Sequence, residues 1–314
     1  MRVLITGRDG QVGGELHRLF RRRFETVATG RGELDLSDPD GIVATLRQLR
    51  PDLILNAAAY TAVDRAESEP DDALAVNAHA PRILAEEAAG LGACLVHYST
   101  DYVFDGTGDG PYAETDPPAP LGVYGRTKLL GERALSSAGV PHITLRVAWV
   151  YGRRPGNFLS TMLRLMSERR EVRVVADEVG TPTWCRDIAR ATLEIVDALA
   201  GAAGDRDGVA RRLPGAMRDR GGLFHLAPEG HTSWHGFAES ILEAASECGI
   251  APLTAERVTP ISAREWPSDV RRPANSRLSS EKLATTFGVR LPPWRDSVET
   301  CVREIAASRE MIPI

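Results

Sequence analysis

Tyr124 and Lys128, four residues apart in VYGRTKLLGE, could together deliver a proton to a carbonyl oxygen. Residues at i and i+4 share one face of a helix. A cation beside a phenol favours phenolate, so the spacing predicts a tyrosine pKa below its ordinary value of about 10. Such a phenol can act as general acid toward a developing alkoxide. Upstream, HYSTDYVFDG ends the apolar run Ala93 to Val96 with Ser99, Thr100 and Asp101. Two hydroxyls and a carboxylate suit the polar groups of the same substrate, although the three residues also read as ordinary turn chemistry.

A further group of residues suits phosphate. Gly7, Gly10 and Gly13 in TGRDGQVGGEL follow an N-terminal strand pattern and open an amphipathic helix pattern. Glycines there permit a tight turn, let backbone approach a pyrophosphate and allow close helix–strand packing. The helix start adds free amides and a positive dipole end. Glycine triplets are common, so the strand before and the helix after carry the assignment to dinucleotide binding. At the second strand's end, Thr29-Gly30-Arg31 omits the carboxylate that would repel a 2′-phosphate. Arg31 either pairs with that phosphate through its planar fork or is an exposed loop arginine. NADPH is the expected cofactor, with NADH as the alternative.

Elements must hold these groups together. Strand patterns cover Val3–Thr6, Thr26–Thr29, Leu53–Asn56, Cys94–Tyr98 and His142–Val147. Helical patterns cover Val12–Arg23, Pro39–Leu49, Ala73–Leu91 and Lys128–Ser137. This alternation predicts an α/β fold with a parallel sheet covered on both faces. The rhythm weakens after about Gly152, and Gly201–Gly222, rich in Gly, Ala, Arg and Asp, reads as a mobile surface insertion.

Bulk properties set the remaining bounds. The chain has 314 residues, 43% hydrophobic and 26% charged, with a net charge of −5. An acidic balance argues against nucleic acid as a partner, because such proteins present a basic face. The arginines at 21–23 suit the end of a helix, where cations meet the dipole. Cys94, Cys185, Cys248 and Cys301 form no CxxC pair and read as free thiols in a reducing compartment. Met1-Arg2 leads straight into a strand pattern and no apolar stretch is long enough to span a bilayer, so a cytoplasmic protein without a membrane partner is expected.

Together the glycine loop, the polar strand end and Tyr124/Lys128 resemble the extended short-chain dehydrogenase/reductases. GQVG, LDLSD, NAAAYTAVDRAESEP, HYSTDYVFDG, VYGRTKLLGE, RVAWVYG, GTPT and RRPANSRLSSEKL, in that order, resemble the dTDP-4-dehydrorhamnose reductase family. The likeness spans nearly the whole chain except 201–222. It implies a Rossmann-type doubly wound sheet with a smaller, discontinuous C-terminal substrate domain. The expected division is 1–152 plus about 184–222 for the dinucleotide, and about 153–183 plus 223–314 for the sugar.

The resemblance also implies roles. Thr100 would partner Tyr124 at the substrate carbonyl, with Ser99 and Asp101 shaping the sugar pocket. Lys128 would also hold the nicotinamide ribose. Gln11 and Val12 would join Gly7, Gly10 and Gly13 at the pyrophosphate, Asp35 and Leu36 would flank adenine, and Ala59, Tyr60 and Thr61 would line the nicotinamide side. Trp149 would contact substrate or else pack in the core. Asn157 would belong to the sugar site, and Arg272, Asn275 and Arg277 would face the nucleotide diphosphate or form structural salt bridges. Related dehydratases carry Thr-Asp-Glu where this chain has Thr100-Asp101-Tyr102, so reduction is favoured over elimination. Reductases of other dTDP-4-keto-deoxysugars, or a non-catalytic dinucleotide-binding subunit, are the alternatives. Some relatives dimerise through magnesium. Arg186 and Pro293 stand near the corresponding motifs and are poor ligands for a hard cation, so no metal and a monomer or weak homodimer are expected.

Overall fold

Short β-branched runs do form strands here, and the amphipathic stretches between them form helices that lie on the sheet. The computed structural model describes residues 1–201, 206–266 and 270–308. The first half runs β1 (Arg2–Thr6), α1 (Gln11–Phe20), β2 (Glu25–Thr29), α2 (Pro39–Leu49), β3 (Leu53–Asn56), α3 (Val63–Ala66), α4 (Pro70–Leu74), α5 (Ala80–Leu91), β4 (Cys94–Thr100), α6 (Val123–Ser137) and β5 (His142–Val147). Next come β6 (Val150–Tyr151), α7 (Phe158–Glu168), β7 (Glu171–Val175), β8 (Val179–Gly180), β9 (Thr183–Trp184), α8 (Cys185–Ala200) and α9 (Arg206–Arg220). The chain continues through β10 (Gly222–His225), β11 (Thr232–Ser233), α10 (Trp234–Glu247), β12 (Arg257–Ile261), α11 (Glu281–Phe287) and α12 (Trp294–Ala307).

Six strands form one parallel sheet in the order β10-β5-β4-β3-β1-β2. Successive side chains point to opposite faces, and both faces are covered. Val3, Ile5, Leu53, Leu55 and Val96 meet Leu16 and Phe20 of α1 and Ile188 and Ile195 of α8. Leu4, Ile54 and Leu95 meet Ile42 and Leu46 of α2, Leu84 of α5 and Leu135 of α6. A separate core, including Met162, Phe237, Trp294 and Val298, builds the second lobe from α7, α10 and α12. The strand order reverses beside β1, and the cleft outside the carboxyl ends of β1 and β3 is where such sheets bind ligands.

Two features depart from the expected organisation. The stretch 201–222 is not a surface insertion over its described part: α9 buries Val209, Leu213 and Met217 in the sheet core. Its low apolar content hid three core residues spaced four apart, which is one helix face. β10, beyond the boundary expected at 222, pairs in parallel with β5, and Leu283 of α11 returns to the same core. Boundaries elsewhere differ by a few residues. β4 extends to Thr100, so Ser99 and Thr100 lie within the strand, and α6 begins at Val123, ahead of Tyr124.

Candidate active site

The sequence around Gly7 folds into a turn that only glycine fits. Gly7 has φ +72°, and a Cβ there would lie 2.9 Å from the Ala58 backbone. A Cβ on Gly13 would lie 2.1 Å from the Gly7 carbonyl oxygen, so Gly13 sets how closely α1 approaches the turn. Gly10 caps α1 without any side-chain hydrogen bond, which leaves the first-turn amides for a ligand. Gly7, Gly10, Gln11 and Val12 line a cavity of about 820 Å³; Gly13 packs behind it. The Gln11 amide group donates to the Arg154 and Pro155 carbonyls at 3.0 and 3.1 Å, so only its backbone remains for phosphate.

The tip of β2 differs from expectation. The loop folds Glu33 back so that its carboxylate accepts from the Gly30 amide at 2.6 Å and pairs with Arg8 at 2.8 Å. A carboxylate therefore does stand at the strand tip, from three residues downstream. The Arg31 side chain is 85% exposed, with Asp35 3.5 Å away. Asp35 and Leu36 line the cavity, and two hydrogen bonds from Ser37 hold the Asp35 carboxyl below its ordinary range.

Ala59, Tyr60 and Thr61 form another part of the wall. Their loop is held by Asn77, whose amide accepts from the Tyr60 N–H at 2.9 Å and donates to its carbonyl at 3.0 Å. Asn77 sits in a π-helical turn between α4 and α5, a distortion that often marks functional sites. Neither the turn nor the contact leaves a sequence periodicity by which it could be found. The Tyr60 phenol donates to Glu69.

At the end of β4 the polar residues converge on α6. Ser99, Thr100, Asp101, Tyr124 and Lys128 all line the cavity. The Ser99 hydroxyl, however, donates to Glu132 at 2.5 Å, and Glu132 forms a buried ion pair with Arg146. The Thr100 hydroxyl donates to Asp101 Oδ1 at 3.0 Å, while Asp101 Oδ2 is buried with no partner at hydrogen-bond geometry among the described residues. Burial pushes the Asp101 carboxyl up to about 6, against the pull of the Ser276 and Thr100 hydroxyls.

The expected lowering of the Tyr124 pKa is overturned. Burial pushes the phenol up to about 12, and its contact with Thr100 opposes this only in part. Lys128 supplies no offsetting charge because its amine turns inward, donating to the Tyr98 carbonyl at 2.6 Å. Burial also brings Lys128 down to about 8, with Glu132 opposing. The i,i+4 spacing put both groups on one helix, but desolvation, not the neighbouring amine, sets the direction of the phenol's shift.

Trp149 lies in the cavity wall at φ +45°, a left-handed conformation that costs a non-glycine residue roughly 1–2 kcal/mol. Its indole stacks on Trp234 with ring centroids 3.5 Å apart, and its Nε1–H donates to Ser276 Oγ at 3.1 Å. Trp234 is a wall residue that sequence reading missed. It opens α10, far along the chain from the other motifs, and only the stack relates it to Trp149.

Three of the residues expected at the substrate make structural bonds. Asn157 lines the cavity, but its side chain caps α7, accepting from Ser160 N–H at 3.2 Å and donating to the Gly152 and Arg154 carbonyls. Asn275 donates to the Gly108 and Gly110 carbonyls and accepts from Arg277, and it does not line the cavity. Arg272 pairs with Asp64 at 2.7 Å and is likewise outside the wall. Arg186, just after the GTPT motif, pairs with Glu15 at 3.4 Å and with Glu304.

A family described as RmlD substrate binding domain matches residues 1–307. A dTDP-4-dehydrorhamnose reductase of Burkholderia thailandensis is 45% identical over 312 residues, covering 97% of this chain and 99% of its own. A crystal structure of a dTDP-4-dehydrorhamnose reductase from Clostridium acetobutylicum is similar with TM-score 0.85 and 32% identity, covering 97% of this chain and 99% of that one. The corresponding protein of Bacillus anthracis, solved in complex with NADP, gives TM-score 0.84 and 31% identity, with 96% of this chain and 99% of that one covered. With its glycine turn, polar strand end and Tyr124/Lys128 helix in place from end to end, this chain belongs to the RmlD family, that of the dTDP-4-dehydrorhamnose reductases.

Proposed function

We propose that this protein reduces the C4 keto group of a dTDP-4-keto-6-deoxy sugar, dTDP-4-dehydro-L-rhamnose to dTDP-L-rhamnose, with NADPH as reductant. The observation that carries the reading is the convergence of Thr100, Asp101, Tyr124 and Lys128 on one cavity with the glycine turn. The residues fit the dinucleotide. The α1 amides and the Gly7–Gly10 turn would hold its pyrophosphate, Asp35 and Leu36 its adenosine, and Ala59 to Thr61 with Lys128 its nicotinamide end. Arg31 lines the cavity at the Gly30 turn, and Arg8, paired with Glu33 and Asp9, lies beside it; these two would meet a 2′-phosphate. NADPH, when bound, supplies the hydride that adds to C4.

The chain's own residues handle the proton. A phenol with its pKa at about 12 is fully protonated at neutral pH, which suits a donor. Tyr124 gives that proton to the former carbonyl oxygen as C4 becomes a secondary alcohol, and Thr100 steadies the same oxygen. Asp101 Oδ2, buried with no partner at hydrogen-bond geometry among the described residues, suits a sugar hydroxyl as donor. The stacked Trp149 and Trp234 offer an apolar face against which a sugar ring can lie. At the position where dehydratases carry glutamate, this chain has Tyr102, half-buried and packed edge-on against Tyr124 with 5.7 Å between centroids, so that position supplies no carboxylate base for elimination.

The test is to incubate purified protein with NADPH and the dTDP-4-keto sugar, following cofactor oxidation and identifying the product by NMR. Tyr124→Phe should slow turnover by roughly 10²–10⁴-fold with NADPH binding retained. Turnover near wild type would remove Tyr124 as the donor, and a wild type that consumes no NADPH would reject the reading.

A further inference from the structure

The inner side of Lys128 is occupied as specifically as its outer side. Besides donating to the Tyr98 carbonyl, its Nζ lies 3.3 Å from Nε2 of His97, a fully buried residue of β4. Strand register explains how His97 is held. Thr6 pairs with Asn56 and Asn56 with His97, so the three form one row across β1, β3 and β4. The Ala58 N–H donates to Thr6 Oγ1 at 3.2 Å, and the Thr6 hydroxyl donates to Asn56 Oδ1 at 2.7 Å. Asn56 therefore turns its NH2 group, a pure donor, toward His97 Nδ1 at 3.0 Å. Nδ1 must accept, so the neutral ring keeps its proton on Nε2, the nitrogen that faces Lys128.

An imidazolium would set donor against donor at both ends of the ring. Burial and the neighbouring Lys128 and His142 disfavour it in the same direction. An Nε2–H can donate only to an amine with a free lone pair. A lysine ammonium at that point would meet an N–H instead.

We propose that His97 is a positioning residue for Lys128, locked by Thr6 and Asn56 in its Nε2–H form so that it holds the amine at the end of β4 and opposes its protonation. The proposal rests on the reading of Lys128 as part of the reductase site. The other ionisable groups near the pair are Glu132, one turn along α6 and paired with Arg146, His142 on β5 beyond His97, and Tyr124, one turn earlier on α6 and lining the same cavity as Lys128. Glu132 acts against the imidazole by favouring the ammonium, and burial acts with it.

The first test needs no variant and no turnover. In wild-type protein with 15N-labelled histidine, NMR should show His97 protonated at Nε2 and bare at Nδ1 from pH 6 to pH 9. The opposite tautomer, or an imidazolium in that range, overturns the proposal. In the second test, His97→Gln can turn its side-chain oxygen toward the amine and accept from an ammonium. With Lys128 acting as an ammonium beside the nicotinamide ribose, loss of its proton sets an alkaline limb in the kcat profile, and that limb should then move up by about one pH unit with KM for the sugar within about twofold. A packing role would lower stability without moving that limb, so a folded Gln variant with an unshifted limb also overturns the proposal. Asn56→Asp offers His97 an acceptor and should switch its proton to Nδ1; retention of the Nε2–H form in that variant counts against the lock. If neither variant folds, the wild-type tautomer decides. A wild type without reductase activity rejects the function, whereas the histidine tautomer still tests the row of bonds behind Lys128.

Discussion

At the scale of single residues, the site is built from groups whose burial conflicts with their charge. Asp101 shows this most directly. Its folded pKa of about 6 lies above the ordinary carboxyl value of 3.8, so the native state binds this proton more tightly than the unfolded chain. The associated stability is complete below pH 3.8 and is lost as pH rises through about 6. Asp101→Asn removes the buried charge while keeping the size and most hydrogen-bonding positions. It should therefore stabilise the protein by roughly 1–3 kcal/mol at pH 8 and by little at pH 4, while lowering kcat/KM for the sugar. Thermal melts of both proteins across that range check the sign, and an unchanged or lower melting temperature at pH 8 would contradict it. Trp149 repeats the pattern in the backbone, with a left-handed conformation held by the Trp234 stack and the Ser276 bond.

At the scale of elements, function sits in the connections at the carboxyl ends of the strands. The loop after β2 is informative because its charges oppose one another. Arg8 is committed to Glu33 and Asp9, and its guanidinium also donates to the Ala28 carbonyl at 3.1 Å. A 2′-phosphate must compete with Glu33 for Arg8, whereas the more exposed Arg31 is less encumbered. Glu33→Gln can keep the bond from the Gly30 amide while removing the competing charge. NADPH affinity should rise about three- to tenfold with NADH affinity nearly unchanged, since a charge-assisted contact is worth roughly 1.5–3 kcal/mol before solvent screening reduces it. Titrating both cofactors by fluorescence decides this; equal changes for the two would show that the loop does not read the phosphate.

At the scale of the whole molecule, Arg186 of α8 joins the sheet layer to the second lobe. It reaches Glu15 on α1 and Glu304 on α12, and its guanidinium also lies 4.5 Å from the ring centroid of Trp184. The two carboxylates already share a cation. Magnesium should accordingly change neither melting temperature nor sedimentation of the wild type. Arg186→Met keeps much of the apolar stem and leaves Glu15 to Arg18 and Glu304 to Arg153. It should cost roughly 1.5–3 kcal/mol, given the partial burial of the pair. Magnesium-dependent stabilisation or dimerisation of the wild-type protein would show that the arginine does not stand in for a metal.

How far these conclusions were legible in the chain follows from the range of each interaction. Strand and helix periodicity, the glycines at 7, 10 and 13, and the spacing of Tyr124 and Lys128 are local patterns; they determined the fold class and pointed to the turn and helix proposed here for phosphate and proton transfer. The resemblance added the sugar. Local reading failed where the deciding contact depends on how the chain folds rather than on spacing or composition. Glu33 turns back to Gly30, three residues away, because the loop closes on itself, and no rule of strand-tip chemistry anticipates that. The core face of α9 was masked by its polar composition. The Asn275 side chain bonds to carbonyls more than 160 residues distant, which no local pattern shows. The Tyr124 pKa rose because desolvation depends on everything packed around the phenol, and spacing within one helix carries no information about that. Only the tertiary structure aligned Thr6, Asn56 and His97 behind Lys128, since strand register across three elements sets which side chains share a row.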